Sequence, residues 1–374
     1  MVSLAAAWMK IYPNTNTTTM TSEQLELAAD DLNVAMKGVG TDETSLIEIL
    51  GKKSPTDREL IATMFQRKYK KRLITKIAFD VRLDFGRLLK LLVVPLVDAE
   101  VIMLRNAFDM TKTDGANYYG ASLASGMLFL GPSAITLAGI ATVKWAGTRE
   151  RHLFSIVLGR ENSELQLLKD RYERRSLFSL TSKIKQETSG NYQEILLSCL
   201  EGNQETYDQS GVHTDQRVME DVEKFHDATK KGKFRTDETA IIQILCNLPA
   251  QHLSTVNAKY EIKHGNTMAT VIENQSSGYF GMAALHQLHM QIDPLSAIKM
   301  RFDQAMDGAG TDEYGLMNLV VRYQSHMGEI MALNPSLKDK IQKETSRNVG
   351  SDHFSELIMM LIDYKENAGD ASRM

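Results

Sequence analysis

Apolar residues recur at helical spacing along most of this chain, whereas the alternating apolar and polar positions that mark strands are scarce. Residues 46–50, 241–245 and 316–320 each place several large apolar side chains within one or two helical turns. Only seven prolines interrupt 374 residues, so few helices need to be broken. The pattern predicts an all-α protein.

A glycine-rich phrase recurs between these helical stretches. It reads Gly-Val-Gly-Thr-Asp-Glu at residues 38–43 and Gly-Ala-Gly-Thr-Asp-Glu at residues 308–313. Degenerate copies of it lie at residues 144–150 and 231–238. The residues that precede the threonine in the four copies are Gly40, Gly147, Arg235 and Gly310. Successive copies are therefore 107, 88 and 75 residues apart. Four units of roughly 70 to 75 residues fit this spacing if the second contains an insertion and a linker precedes the third.

A second phrase keeps register with the first: an acid or amide, a short spacer, and then another apolar helix. Its leading residue is Asp80, Glu187 or Gln275 in the first three units, each 40 positions after the residue before the threonine. In the fourth unit the corresponding Glu344 follows after 34 positions. Two phrases that repeat in register are stronger evidence of a repeat protein than either phrase alone.

The glycine phrase has two interpretations. In one it is only a turn between helices, in which glycine ends one helix, the threonine caps the next and two acids favour its first turn. In the other, the turn directs backbone carbonyls outward to bind Ca²⁺, which prefers six to eight oxygen ligands. The protein ligands of such a calcium ion would be the carbonyls of Met36, Gly38 and Gly40 and the carboxylate of Asp80. The remaining positions would be open to water or a lipid phosphate oxygen.

The charge balance excludes some classes of protein. With 43 basic and 47 acidic side chains, the net charge is -4 and the pI is near 6.2, which argues against a nucleic-acid partner. Any attraction to an anionic membrane would therefore have to come from something other than net charge. The two cysteines, Cys199 and Cys246, are too few for a disulfide scaffold or a four-cysteine zinc site, and indicate a reduced, intracellular setting.

Over residues 22–366 the chain resembles the annexins, most clearly at residues 35–43 and in the four in-register copies of both phrases. The resemblance implies four repeats of five short helices that form a curved disc. It also implies calcium sites on the convex face, between the first two helices and the turn from the fourth to the fifth. The implied function is reversible, calcium-dependent binding to phosphatidylserine-rich membranes, in membrane organisation, repair or trafficking, without enzymatic activity.

Carried over by residue, the resemblance makes the first site the most complete, although Asp80 stands where glutamate is usual and Leu83 where glycine is usual. The fourth site would use Met306, Gly308 and Gly310, with Glu344 favoured over Asp352 as the carboxylate. The second would use Val143, Trp145, Gly147 and Glu187, with tryptophan in place of a glycine. The third has Arg235 and Gln275 and is not expected to bind an ion. Thr41 and Glu43 are further candidates in the first site.

The predicted organisation includes several segments outside the repeats. It comprises a head at 1–21, repeat 1 at 22–95, repeat 2 at 96–202, a linker at 203–217, repeat 3 at 218–292, repeat 4 at 293–366 and a tail at 367–374. Repeat 2 would hold an apolar insertion within 106–143, and residues 115–143 carry no charge. Their length admits a membrane-spanning helix, but small residues and the Gly131-Pro132 pair favour an inserted loop or hairpin.

The leading hypothesis is a cytoplasmic, calcium-gated peripheral protein at the inner face of the plasma membrane, with no secretory signal. Its partner would be an anionic phospholipid membrane, and the head is the segment where annexins usually bind proteins or are modified. Self-association on membranes and exposure at the cell surface are left open. The alternatives are a calcium-independent structural or cytoskeletal scaffold and an integral protein anchored by residues 115–143. An enzyme is the least supported class, because no phosphate loop, nucleophile elbow or HExxH motif is present.

Overall fold

A computed structural model of the chain describes residues 18, 20–38, 40–109, 148–230, 237–307, 311–346 and 352–364. Across these ranges the secondary structure consists of helices and turns without a strand, so the all-α prediction is confirmed. None of the described helices is both long and apolar enough to cross a bilayer. The predicted insertion from residue 110 onward, with Val143, Trp145 and Gly147, lies outside the described residues, as do Gly308, Gly310 and Arg235.

The described helices, numbered in chain order, fall into four groups of five. Repeat 1 contains α1 (Ser22–Ala35), α2 (Glu43–Gly51), α3 (Pro55–Tyr69), α4 (Leu73–Asp80) and α5 (Leu83–Leu92). Repeat 2 contains α6 (Leu96–Asp109), α7 (Thr148–Val157), α8 (Asn162–Glu173), α9 (Leu180–Glu187) and α10 (Gly190–Glu201). Repeat 3 contains α11 (Asp215–Thr229), α12 (Glu238–Asn247), α13 (Ala250–His264), α14 (Met268–Gln275) and α15 (Gly278–Ile292). Repeat 4 contains α16 (Pro294–Met306), α17 (Glu313–Arg322), a 3₁₀ turn (Gln324–His326), α18 (Met327–Leu333), α19 (Pro335–Thr345) and α20 (Asp352–Asp363).

The first helix of repeat 3 starts within the segment predicted as a linker. Helix α11 starts at Asp215, inside the predicted 203–217 linker. The hydroxyl of Thr214 accepts a hydrogen bond of 3.3 Å from the backbone N–H of Arg217 and caps this helix.

The aspartate of the glycine phrase, rather than its threonine, caps the following helix. Asp42, Asp237 and Asp312 each accept a hydrogen bond from the backbone N–H three residues later, at 2.9–3.0 Å. The prediction of a threonine cap is therefore wrong. The backbone N–H of Asp42 also donates to the carbonyl of Ala35, at 2.9 Å, and closes the loop between α1 and α2. This geometry leaves the Thr41 hydroxyl available for a contact outside the loop.

The helices form two compact units, one within residues 103–297 and the other within 11–102 and 298–374. The second unit pairs repeats 1 and 4, although they are the most distant repeats in the chain. There α2 packs against α20, and α5 packs against both α17 and α20. Sequence periodicity does not reveal this pairing, because all four repeats have the same apolar pattern.

Buried polar contacts fix repeat 1 to repeat 4 within that unit. The guanidinium of Arg58, which is 2% exposed, donates to the carbonyls of Lys53 and Leu92 at 2.6 and 3.2 Å and to the Gln324 side chain. Burial lowers the pKa of Arg58 to about 10, so the side chain stays charged at neutral pH. A second buried contact joins repeat 4 to α6, the first helix of repeat 2: Arg322 donates to the carboxylate of Glu100 at 2.8 Å.

Repeats 2 and 3 are joined in the other unit through Gln287. Its amide donates to the carbonyl of Leu245 at 3.1 Å, and its oxygen accepts from the backbone N–H of Gly159 at 2.8 Å. Gly159 has a φ of 72°, and a Cβ added there would lie 2.5 Å from Cβ of Met290. Only glycine therefore permits this close approach of the two repeats.

We expect Glu100→Ala to destabilise the protein by about 3–5 kcal/mol, because it leaves the buried Arg322 guanidinium without its carboxylate. Urea denaturation followed by circular dichroism measures the change. The Glu100→Leu/Arg322→Met double variant should recover most of the loss, since it removes both charges. As a control, Glu48→Ala removes an exposed ion pair with Lys52 and should change stability by less than about 1 kcal/mol. Equal losses in the two single variants would contradict the assignment.

Candidate functional site

The glycine loop of repeat 1 lies between α1 and α2. Gly38 and Gly40 have φ angles of 101° and 97°, and a Cβ added at either would meet nothing within 4 Å. The backbone conformation, rather than crowding, therefore requires glycine at these positions. The Met36 side chain is buried at 1% exposure, so its carbonyl is the part available to the loop.

A hydrogen bond connects this loop to the end of α4. Thr41 donates its hydroxyl to the backbone carbonyl of Asp80 at 3.1 Å, across 39 positions of sequence. This contact holds Asp80, the predicted acidic ligand, beside the loop that carries the predicted carbonyl ligands. Thr41 thus connects the two loops, while Glu43 is the first residue of α2, directly after the cap Asp42.

Lys76 contacts two of the four predicted calcium ligands of repeat 1. Its Nζ donates to the carbonyl of Met36 at 2.7 Å and lies 2.7 Å from Oδ2 of Asp80, an atom shielded from solvent. These lengths are typical of hydrogen bonds made by charged groups. The Met36 carbonyl oxygen and the Asp80 carboxylate thus both contact the Lys76 ammonium. The two oxygens are of the kind that binds a metal cation, and in this structure the cation that contacts them is the ammonium.

Side-chain clusters give no alternative metal site. Within the described part of the chain, no group of three or more histidine, cysteine, aspartate or glutamate side chains is arranged to hold a metal ion. A calcium site there would depend on peptide carbonyls with a single carboxylate, which is the donor set found around Lys76.

Repeat 2 has the same pairing of lysine and acid. Nζ of Lys183 lies 2.6 Å from Oε1 of Glu187 at the end of α9, and both side chains are mostly buried. The Lys183 ammonium also lies 5.8 Å from the centre of the Phe108 ring, within the range of a cation–π contact.

In repeat 4, Glu344 lies in the last turn of α19, as Asp80 does at the end of α4. The alternative acid, Asp352, is exposed at the start of α20. This correspondence of position favours Glu344 as the acid of the fourth site. Met306 ends α16 with its side chain buried.

The lysine of repeat 4 contacts other acids. Lys340 donates to Asp303 at 3.0 Å and to Asp307 at 3.2 Å. The hydrogen bond from Lys340 to Asp303 is the main reason why the pKa of this lysine is raised.

Repeat 3 lacks both charges. Gln275 ends α14 in the position of the acid, and its Oε1 is shielded from solvent without a hydrogen-bond partner. Val271 stands four residues earlier, where the other repeats have lysine. With Gln275 in place of the acid, this position offers no negative charge to balance a cation.

The lysines were missed by the sequence reasoning, although a signal for them exists. Lys76, Lys183 and Lys340 each precede the acid of their repeat by four residues. One helical turn therefore places the ammonium beside the carboxylate. A comparison of the repeats at this position, as well as at the glycines and acids, would have found them.

Apolar side chains flank Asp80 on the protein surface. Phe79 is 84% exposed and Leu83 is 60% exposed. Leu83 has a φ of 58°, close to the 63° and 67° of Gly190 and Gly278 at the same position of repeats 2 and 3. A leucine thus adopts a conformation that suits glycine, and it presents its side chain to solvent.

Comparison with known proteins relates both the sequence and the fold to one family. The annexin family model matches residues 27–92, 141–199 and 220–286. Mouse annexin A13 is 26% identical over 334 residues, which cover 89% of this chain and 92% of the mouse protein. A point mutant of annexin A8 with an intact N-terminus superposes with a TM-score of 0.74 at 24% identity, covering 93% of this chain and 97% of the other. Calcium-bound annexin (Sm)1 has a TM-score of 0.64 at 22% identity, with 92% of both chains covered.

We expect Leu83→Gly to stabilise the protein by about 0.5–1 kcal/mol. Relief of a left-handed leucine is worth about 1–2 kcal/mol, and the entropy of glycine in the unfolded chain offsets part of it. Thermal unfolding in chelator measures the change. Gly190→Ala, which introduces a Cβ into the same conformation in repeat 2, should destabilise the protein by about 1 kcal/mol. A lower melting temperature for Leu83→Gly would show that the leucine packs favourably where it lies.

Proposed function

The chain belongs to the annexin family, and we propose that it binds anionic phospholipid membranes reversibly when calcium joins its inter-helix loops to lipid phosphates. Annexins are generally calcium-dependent, non-enzymatic proteins of the membrane surface. The observation that carries the proposal for this chain is the convergence of the Met36 carbonyl and the Asp80 carboxylate on one cation position.

The proposed ligands of repeat 1 are the carbonyls of Met36, Gly38 and Gly40 and the carboxylate of Asp80. Calcium would supply a divalent charge with coordination positions left over for phosphate oxygens. The Thr41 hydroxyl holds the acid against the glycine loop through the backbone of Asp80. The left-handed glycines keep side chains away from the carbonyls, so a headgroup can approach.

In repeat 4 the corresponding ligands would be Met306, Gly308, Gly310 and Glu344. In repeat 2 they would be Val143, Trp145, Gly147 and Glu187. We propose no standard ion in repeat 3, because Gln275 replaces the acid.

The surface around Asp80 also suits a lipid interface. Phe79 and Leu83 project apolar side chains beside the proposed ion position. Apolar side chains that enter the headgroup region gain free energy by leaving water, and so add to the electrostatic attraction. We propose phosphatidylserine-rich membranes as the target, with roles in membrane organisation, repair or trafficking.

A second candidate function is a calcium-independent structural or cytoskeletal scaffold on the same fold. It is favoured by Lys76, whose ammonium pairs with the Asp80 carboxylate and so neutralises its charge. This candidate predicts that binding to filaments or protein partners persists in chelator.

Sedimentation with vesicles tests the proposal. The protein should pellet with phosphatidylserine/phosphatidylcholine vesicles in calcium and stay in solution in chelator. Asp80→Asn should raise the calcium concentration needed for half-maximal pelleting by about tenfold or more, because it removes the carboxylate of the first site. Asp30→Asn, which removes an exposed partner of Lys68 in the same repeat, should leave the titration unchanged.

Pelleting that is the same with calcium and chelator, or that never occurs, would contradict calcium-dependent binding. If the two variants titrate alike while the wild type still requires calcium, Asp80 is not a ligand.

A further inference from the structure

We propose that Lys76 is a resident cation of the repeat 1 site and that calcium binds there only by displacing its ammonium. The inference rests on the proposed function, because it concerns the same loops. It goes further by giving this chain an intramolecular competitor that sets the calcium requirement of its most complete site.

The contacts of Lys76 carry the first step of the argument. Its Nζ lies 2.7 Å from both the Met36 carbonyl oxygen and Oδ2 of Asp80. Calcium–oxygen distances are about 2.3–2.6 Å, so an ion bound to both oxygens would replace the two contacts that the ammonium makes. The two cations cannot occupy this position together.

The exposure of the pair shows that displacement is feasible. The Lys76 side chain is 25% exposed and that of Asp80 is 17% exposed. Lysine has four rotatable side-chain bonds and is strongly hydrated when released. The ammonium can therefore move into water without opening the hydrophobic core, while the backbone carbonyl and the acid stay in place.

The repeats provide an internal comparison. Lysine stands four residues before the acid in repeats 1, 2 and 4, and the repeat without the acid has Val271 instead. In repeat 2, Nζ of Lys183 lies 2.6 Å from the acid. The lysine thus compensates the charge of the carboxylate in repeats 1 and 2, whereas in repeat 4 it contacts Asp303 and Asp307.

The charges give the direction of the effect. With Lys76 in place the Asp80 carboxylate is already neutralised, so an arriving calcium ion loses most of that attraction and is repelled by the ammonium. In chelator the same ammonium joins the loop after α1 to the end of α4. Lys76 should therefore weaken calcium binding at repeat 1 and stabilise the calcium-free protein.

The test isolates repeat 1 in a Glu187→Gln/Glu344→Gln background and titrates full-length protein with calcium chloride alone by isothermal calorimetry. Lys76→Met keeps the length of the side chain and removes its charge. We expect it to tighten calcium binding by at least about tenfold, and to lower the melting temperature in chelator. Lys68→Met is the matched control, since it removes a lysine paired with Asp30 in the same repeat. Adding Asp80→Asn to Lys76→Met should abolish the gain.

The outcomes separate the two proposals. If the Lys76→Met variant and its parent bind calcium equally strongly, Lys76 does not compete with calcium, and the proposed function is unaffected. If the Lys76→Met variant binds calcium and its parent does not, the result supports the proposal that Lys76 competes with calcium and shows that the competition is strong enough to prevent binding. An absence of binding in both overturns calcium recognition at repeat 1 together with the competitor.

The two cysteines carry a second, independent inference. Cys199 lies on α10 and Cys246 on α12, both are buried, and their sulfur atoms are 2.8 Å apart. They are the only cysteines in the chain. We infer that a two-electron oxidant such as hydrogen peroxide joins them in a disulfide between repeats 2 and 3. Both S–H bonds break and one S–S bond forms, while the two protons and two electrons reduce the peroxide to water.

Burial raises the pKa of the Cys199 thiol well above its usual range, so little thiolate is present at neutral pH and the reaction should be slow. Peroxide-treated protein should lose both thiols on titration after unfolding and the mass of two hydrogens, and it should remain monomeric on a non-reducing gel. Dithiothreitol should restore both thiols. Cys246→Ser should form no intramolecular bond. Persistence of both thiols, or oxidation only to sulfinic acid or to cross-linked dimers, would overturn the inference.

Discussion

The site in repeat 1 depends on a single constraint: a peptide carbonyl and a carboxylate far away in sequence must share one positive charge. Neither oxygen alone binds a cation well in water, because both are satisfied by solvent. The Thr41 hydrogen bond to the Asp80 backbone brings them together, and Lys76 then binds both. The loop conformation, the helix ends and the proposed metal chemistry all follow from this convergence.

The surrounding fold provides the rigidity that this convergence needs. Asp42 caps α2, and the bond from its N–H to Ala35 closes the glycine loop, so the loop is fixed at both ends. In the same unit, the buried charge of Arg58 joins repeat 1 to repeat 4, and that of Arg322 joins repeat 4 to the first helix of repeat 2. A repeat of five short helices has little core of its own, so such contacts between repeats give each loop a stable base.

The repeats have diverged at the site while they keep the scaffold. Repeats 1 and 2 pair a lysine with the acid, repeat 3 has lost both charges, and repeat 4 directs its lysine toward Asp303 and Asp307. In repeats 1, 2 and 3 the turn that follows this position has a left-handed residue, even where leucine replaces glycine in repeat 1. The backbone conformation of this turn is thus the same although the side chains differ, since the helices on either side of the turn impose it.

The sequence alone determined the all-α class, the helical repeats and the places of the glycine turns and acids, because helical periodicity and turn residues are local signals. It misassigned the cap to the threonine of the phrase, since two adjacent residues can both cap and only the loop closure selects between them. It did not show that repeats 1 and 4 share a compact unit, that Lys76 contacts both the Met36 carbonyl and the Asp80 carboxylate, or that Cys199 meets Cys246. Those facts were decided by the tertiary structure, because each joins groups that come close only after separate helices have packed.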